Sequence, residues 1–483
     1  MSAGGGHRDG GARGGSNLAV TGRILRVALP LIAASSGHAL RLFADRVMLA
    51  RYSQESIAAA LPAGMMCFVG MSLFIGTAGY VSTFVAQFTG AGQDRQAGRA
   101  VWQGILLSLL GGLVMLIPAL IAPRLFAWAG HPIEVQAQQI VYFRVLCRFS
   151  FAGIALATLN GFWSGRGRTG TVMAIELFCA LANVLLNNVL IFGRFGVPEM
   201  GIFGAGLATG LSNLLGLTVL FGLFLRRTNR IRFGAWPKRL LDPSLFRRVC
   251  RFGFPNGVQF MLDMLAFNLF VIFLGRAGSV AMEAAGIAFG LNALAFMPIV
   301  GMGMAVSVLV GQAVGGDDIP SAKTAVRQAM ILSLAYNVLI GVLFLFRPEP
   351  VLALFARADD PAQAETLAMA RIALRFIVAY LAFDAVYIVY SHAIKGAGDT
   401  RFAMLAGTVL SWGTLAMPSW LGARLGWSAW VLWSILVVHI VLAGILFYSR
   451  YRFGAWERMR VIEPVPPETF APVEPLPPPI AGA

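Results

Sequence analysis

Residues 81–90, VSTFVAQFTG, return at 306–315 as VSVLVGQAVG, so that Val81, Ser82, Val85, Gln87 and Gly90 meet Val306, Ser307, Val310, Gln312 and Gly315. Both segments end a longer apolar run. SIAAALPAGMMCFVGMSLFIGTAGYVSTFVAQFTG at 56–90 aligns without a gap on 281–315, placing Ala59, Ala60 and Gly76 on Ala284, Ala285 and Gly301. The same slide of 225 positions pairs Pro30 with Pro255 and Arg51 with Arg276, and a slide of 231 pairs Gly165, Gly167 and Thr169 with Gly396, Gly398 and Thr400. The chain is an internal duplication. Its apolar runs are long and unalternated, which is the pattern of membrane-spanning helices and not of barrel strands.

Composition agrees. Of 483 residues, 58% are hydrophobic and 12% charged, against about a quarter charged in a soluble domain. Twelve helices of about 22 residues would take up roughly 264 residues, a little over half the chain. Hydrophobicity predicts them near 24–50, 57–89, 99–127, 138–163, 170–193, 201–225, 248–275, 282–314, 323–347, 368–394, 401–423 and 427–450. The expected architecture is all-α: twelve transmembrane helices in two six-helix lobes, 24–225 and 248–450, joined by a basic linker at 226–247. An even number of helices per repeat puts the pseudo-two-fold axis along the membrane normal, with a cleft between the lobes. Residues 1–23 read as a disordered tail without a signal peptide, and 451–483, ending EPLPPPIAGA, as an extended Pro-rich tail.

The formal charge of +16 does not mark a nucleic-acid binder, because its densest cluster, Arg226 to Arg251, lies between two apolar segments. Under the twelve-helix count about 25 basic residues fall on the side shared by the termini and about seven on the other, which makes both termini cytoplasmic. Arg41, Arg46, Arg144, Arg148, Arg371 and Arg375 lie within or at the ends of the spans, and only Arg41 is deep. The four cysteines have no metal-type spacing and read as reduced packing residues. No GxxxxGK[ST], HExxH or GxSxG occurs, so no ATP hydrolysis or enzyme activity is expected and energy should come from an ion gradient.

Ionisable groups inside a bilayer are costly and therefore functional candidates. They are His38, Arg41 and Asp45 in the first helix, Glu176 in the fifth, Asp263 in the seventh and Asp384 in the tenth. Counting 1.5 Å per residue from the outer anchors puts Asp45, Asn187 and Thr209 at one level, roughly 9 to 12 Å deep, with Asn183 one turn below. A carboxylate, amides and a hydroxyl converging there suit a proton or a hard cation such as sodium; an interhelical hydrogen-bond cluster without an ion is the structural alternative. Asp263 and Asp384 fall roughly 16 to 20 Å from the inner face, where two carboxylates at one level can share a proton or hold sodium. Tyr380, Asp384, Tyr387 and Ser391 form a polar, aromatic stripe suited to an organic cation, with Tyr380 and Tyr387 as cleft candidates. His38, Arg41 and Asp45 share one helix face, and Arg41 is placed to modulate Asp45 or Glu176. Pro30 and Pro255 are matched hinge candidates.

Five strings together resemble the multidrug and toxic compound extrusion (MATE) family: ILRVALPLIAASSGHALRLFADRVMLARYS (24–53), NVLLNNVLIFG (183–193), GIFGAGLATG (201–210), SVLVGQAVG (307–315) and IKGAGDTRF (394–402). The resemblance covers both halves, roughly 24–450. It implies a secondary antiporter that expels organic, often cationic, compounds by alternating access in exchange for inward H+ or Na+, with no further cofactor. Asp45 matches the family's acid in the first helix, and Asn183, Asn187 and Thr209 match its first-lobe ion-site partners. Asp263 and Asp384 match the acids of the NorM-like branch in helices seven and ten. Position 187 is Asp in some members and Asn here, and His38, Arg41 and Glu176 depart from the pattern. A monomer in the inner (cytoplasmic) membrane is the corresponding expectation. The rival is a flippase for lipid-linked saccharides, which related folds perform; the mainly acidic candidate sites favour cationic cargo over pyrophosphate.

Overall fold

The computed structural model describes residues 9–128, 132–237, 239–355 and 363–463, apart from the side chains of 9–19, 38, 128 and 354. Within them twelve helical spans follow in order. The first lobe holds α1 (Asp9–Tyr52), α2 (Gln54–Gly79 continued by Val81–Gly90), α3 (Asp94–Val114 and Leu116–Trp128), α4 (Ile133–Arg148 and Ser150–Gly165), α5 (Thr169–Phe192) and α6 (Gly201–Phe224). The second holds α7 (Pro243–Gly275), α8 (Ser279–Gly315), α9 (Ile319–Phe346), α10 (Gln363–Ala397), α11 (Thr400–Leu410, a π-helical Ser411–Ala416, and Met417–Arg424) and α12 (Ala429–Arg452). Ten helices are long and apolar enough to cross a membrane and the α4 pair, bent by 44°, makes an eleventh; the π-interrupted α11 is the twelfth. Helices suit these sequences because a spanning segment must satisfy its backbone polar groups internally.

Local chemistry sets several ends. Ser53 caps α2 by accepting from the Ser56 amide, and Asp242 caps α7 by accepting from the Ser244 and Leu245 amides, with Pro243 in the first turn. Asp318 caps α9 through the Ser321 amide. Gly193 ends α5 in the left-handed region, φ 66°, a conformation glycine adopts without a Cβ clash.

Each lobe has its own core on the face away from the termini. Leu49, Ala63, Phe126 and Phe143 pack together in the first, and Phe270, Leu291, Leu374 and Trp433 in the second. Towards the termini the separate cores give way to a shared one that includes Ile24, Phe84, Phe162, Val310, Ile394 and Trp456. The lobes meet pseudo-symmetrically, α1 against α8 and α7 against α2. At the second crossing a Cβ on Gly76 would stand 2.7 Å from the Gly257 Cα, so only two glycines permit this approach. Large side chains such as Leu120, Ile133 and Val409 are left exposed on the outside of the bundle, as lipid-facing positions require.

Two expectations need correction, and the linker proves to carry structure of its own. Residues 9–23 are helical and continue α1, and Thr21 Oγ1 reaches Gln328 Oε1 of α9 in the other lobe at 3.5 Å. The linker holds a short helix, Arg227–Phe233, pinned by Phe233 against Phe162 (ring centroids 5.3 Å) and by the Trp102 indole donating to the Ala235 carbonyl at 3.0 Å. The segment after α12 is not an extended tail as far as residue 463. It forms a 3-10 turn at Ala455–Arg458, stacks Trp456 on Tyr451 and buries Val461 and Ile462. The proline-dense remainder, 464–483, and residues 1–8 lie outside the described residues. The cysteines are free, as expected.

Candidate functional site

Helices α1, α5 and α6 adjoin, and this brings the first-lobe candidates together. The Asn187 amide donates to Asp45 Oδ1 through a short hydrogen bond and to Asn183 Oδ1 at 3.2 Å. Asn183 donates to Thr209 Oγ1 at 3.3 Å, and Thr209 Oγ1 donates to Asp45 Oδ2 at 3.4 Å. The four side chains form a closed ring spanning three helices. Asn183 and Asn187 are fully buried and Asp45 is 6% exposed. Asn187 Oδ1 is buried with no hydrogen-bond partner, so the ring keeps one acceptor in reserve beside a carboxylate. With Asp45, Asn183 and Thr209 this makes an all-oxygen donor set of the kind a hard cation takes, and the same orphan acceptor could receive a hydrogen bond from a protonated Asp45.

Deeper in the same lobe, Glu176 Oε1 accepts from the Asn160 amide at 2.8 Å, and the Arg41 guanidinium donates to Asn213 Oδ1 at 3.0 Å. Arg41 lies within electrostatic range of both Asp45 and Glu176, the placement read from its helix face. His38 lies on α1, with its side chain outside the described residues.

In the second lobe Asp263 Oδ1 accepts from Ser411 Oγ at 2.7 Å, a partner that the reading of two carboxylates at one level did not include. Ser411 opens the π-helical segment of α11, and the extra residue in that turn shifts the helix phase and presents the hydroxyl to α7. Gln259, one turn away on α7, approaches the same carboxylate without hydrogen-bond geometry. Asp384 is buried in α10, and the half-buried Tyr387 lies within electrostatic range of both acids. Tyr387 packs edge-on against Phe447, and Tyr380 is buried in the second-lobe core. Pro30 and Pro255 sit inside unbroken helices, and next to Pro255 the Asn256 amide donates to the Gly76 carbonyl at 2.8 Å.

Among the described residues no three His, Cys, Asp or Glu side chains cluster as a metal site. Partners that sequence reasoning missed are Ser411, Asn160 and Asn213. Each is a polar residue in an apolar span, which was the available signal, but which helices adjoin is not written in the spacing.

Comparison with known proteins points one way. The MatE family model matches residues 30–189 and 255–420. A probable multidrug resistance protein NorM of Pseudomonas syringae pv. tomato is 31% identical over 412 residues, 82% of this chain and 87% of that one. A second, of Thermotoga maritima, is 25% identical over 454 residues, 91% and 94% of the two chains. Among solved structures, a MOP superfamily transporter from Pyrococcus furiosus Vc1 superposes with a TM-score of 0.81 at 20% identity, covering 91% of this chain and 97% of the other. An outward-facing multidrug resistance MATE family transporter superposes with a TM-score of 0.79 at the same identity and coverage. At that identity the two structures establish the fold.

Proposed function

Because this chain belongs to the MatE family of membrane transporters, we propose that it is a drug-efflux antiporter, exchanging small organic cations for inward-moving H+ or Na+ by alternating access. The single observation that carries this is the closed ring around Asp45, whose orphan amide oxygen and carboxylate offer a place for one positive charge. The termini face is taken as cytoplasmic, the membrane as the inner membrane and the functional unit as a monomer.

In the cycle, the coupling ion enters from the outer side and is held by Asp45, Asn183, Asn187 and Thr209. Substrate occupies the cleft between the lobes, where Asp263 and Asp384 supply negative charge. Exchange follows if ion and substrate each bind the inward-facing and outward-facing states with different affinity. The acidic character of the buried groups supports cationic cargo over a pyrophosphate-linked saccharide, since the deep Arg41 lies beside two carboxylates.

The test is uptake of a fluorescent organic cation into proteoliposomes under an imposed pH or sodium gradient, against protein-free liposomes. Gradient-dependent uptake under one ion alone identifies that ion as the driver. Absence of uptake by monodisperse protein under both gradients would overturn the antiporter reading and favour the lipid-saccharide flippase.

A further inference from the structure

The two repeats come into contact at the termini face through the very residues that first revealed the duplication. Gln87, at the end of α2, reaches into the second lobe, its amide donating to the Gly396 and Ala397 carbonyls at 3.0 and 3.2 Å. Gln312, its counterpart at the end of α8, reaches into the first lobe and donates to the Gly165 carbonyl at 2.8 Å. Gly165 and Gly396 are themselves a repeat pair, so each lobe grips the matching residue of the other. The backbones cross just beyond. A Cβ on Gly90 would overlap the Gln312 carbonyl oxygen, and one on Gly315 would overlap that of Gln87. Only glycine at both positions lets the helix ends close so tightly.

The acceptors of the two glutamines are satisfied from opposite ends of the chain, which breaks the symmetry. Arg23 Nη2, in α1, donates to Gln312 Oε1 at 3.1 Å. The Val461 amide donates to Gln87 Oε1 at 2.9 Å. Val461 belongs to a segment strapped across the termini face and anchored on the second lobe: Arg460 bonds the Val314 carbonyl and Asp317, Lys323 pairs with Glu457 at 2.9 Å, and Arg248 pairs with Glu463. Val461 and Ile462 are buried in the shared core and Gln87 is fully buried, whereas Gln312 is half-buried.

We propose that Gln87 and Gln312 form a reciprocal latch holding the two lobes shut on the termini face, and that Met459–Glu463 is a strap that must release Gln87 before this face opens. The strap is fixed to the second lobe on both sides of Val461, whose amide bonds the first, so parting the lobes breaks the Val461–Gln87 bond together with the latch. The inference rests on the alternating-access reading only in requiring that this face open at all.

The test is the rate at which a membrane-impermeant maleimide, applied from the termini side, labels a cysteine introduced as Thr83→Cys in full-length protein whose four native cysteines are replaced. Thr83 is buried where α2 meets Gly311 of α8, so labelling reports the fraction of time the lobes are apart even when that fraction is small. Gln87→Leu and Gln312→Leu should each raise the rate roughly tenfold, and the double variant roughly a hundredfold, as expected for removing one or two groups of hydrogen bonds. Val461→Pro, which removes the amide donor of the strap and keeps a small apolar side chain in the shared core, should raise it about fivefold, and it keeps the test available if a glutamine variant does not fold. Rates within about twofold of the parent in the double variant, or in Val461→Pro, would overturn the latch or the strap respectively. Labelling requires no substrate, so the outcome stands apart from the transport assay: faster labelling without transport would leave the latch in place and refute the proposed cargo or coupling.

Discussion

Replacing Asp45 with asparagine removes one charge and almost no volume from the ring in the first lobe. The new amide can still bond Asn187 and Thr209 after rotation, so the packing of α1 against α5 and α6 is kept. What is lost is the attraction for a positive charge. A monovalent cation about 4 Å from the carboxylate gains about 4 kcal/mol at an effective dielectric constant near 20, which corresponds to roughly a thousandfold in affinity. Folding should respond in the opposite sense, because Asp45 is 6% exposed and removing a buried charge while keeping its hydrogen-bond partners relieves desolvation. The expected outcome for Asp45→Asn is therefore a melting temperature in detergent equal to or above that of the parent, with loss of gradient-driven uptake in proteoliposomes at any physiological ion concentration. Two measurements on one preparation separate these effects. Uptake that keeps its ion dependence and rate in Asp45→Asn would refute the assignment of the ring as the coupling site. Loss of uptake accompanied by a lower melting temperature would show that the carboxylate serves packing instead.

Other perturbations probe the scaffold. Trp433 is buried and stacked on Phe289 at 4.9 Å, so Trp433→Ala should destabilise the second lobe by about 3–5 kcal/mol, read as a lower melting temperature or unfolding midpoint. The helix caps outside the spans give a pH signature. Hydrogen bonds from Ser244 hold Asp242 below the usual carboxylate range, and those from Ser321 do the same for Asp318. Their contribution is present above the unfolded value and is lost as pH falls through the folded one, so Asp242→Ala and Asp318→Ala should each cost about 1 kcal/mol at neutral pH and progressively less as the pH falls through the lowered folded value; equal losses at neutral and acid pH would contradict the capping geometry. Cys67, Cys147 and Cys179 are buried and Cys250 half-buried, so in native protein a maleimide should modify Cys250 first and the others only on unfolding, as mass spectrometry of timed samples will show.

Much of this was legible before any coordinates. The twelve spans follow from apolar length, and counting residues from Arg51, from Arg194 and from the start of the sixth helix placed Asp45, Asn187 and Thr209 at one depth, in keeping with the hydrogen bonds that join them. Counting works along a straight helix of known rise. It could not find the partner of Asp263, because the π turn at Ser411 rephases α11 and brings in a hydroxyl that no regular period predicts. It failed after α12. Prolines crowd residues 464–483 and coloured the reading of everything from 451, whereas Trp456, Val461 and Ile462 carried enough apolar surface to fold back. In the linker the arginines stand out, but the residue that fixes its helix is Phe233.

Helix length has a mechanical consequence. At 37 residues, α8 measures about 55 Å against a hydrocarbon core of about 30 Å, so its ends project well beyond the membrane interior and α8 acts as a lever. Pivoting it by about 10° near mid-membrane would carry Gly315 roughly 5 Å sideways, farther than any hydrogen bond of the latch can stretch. A small rotation at mid-membrane would thereby be converted into all-or-none separation at the far end, where contacts that are individually weak are made or broken together.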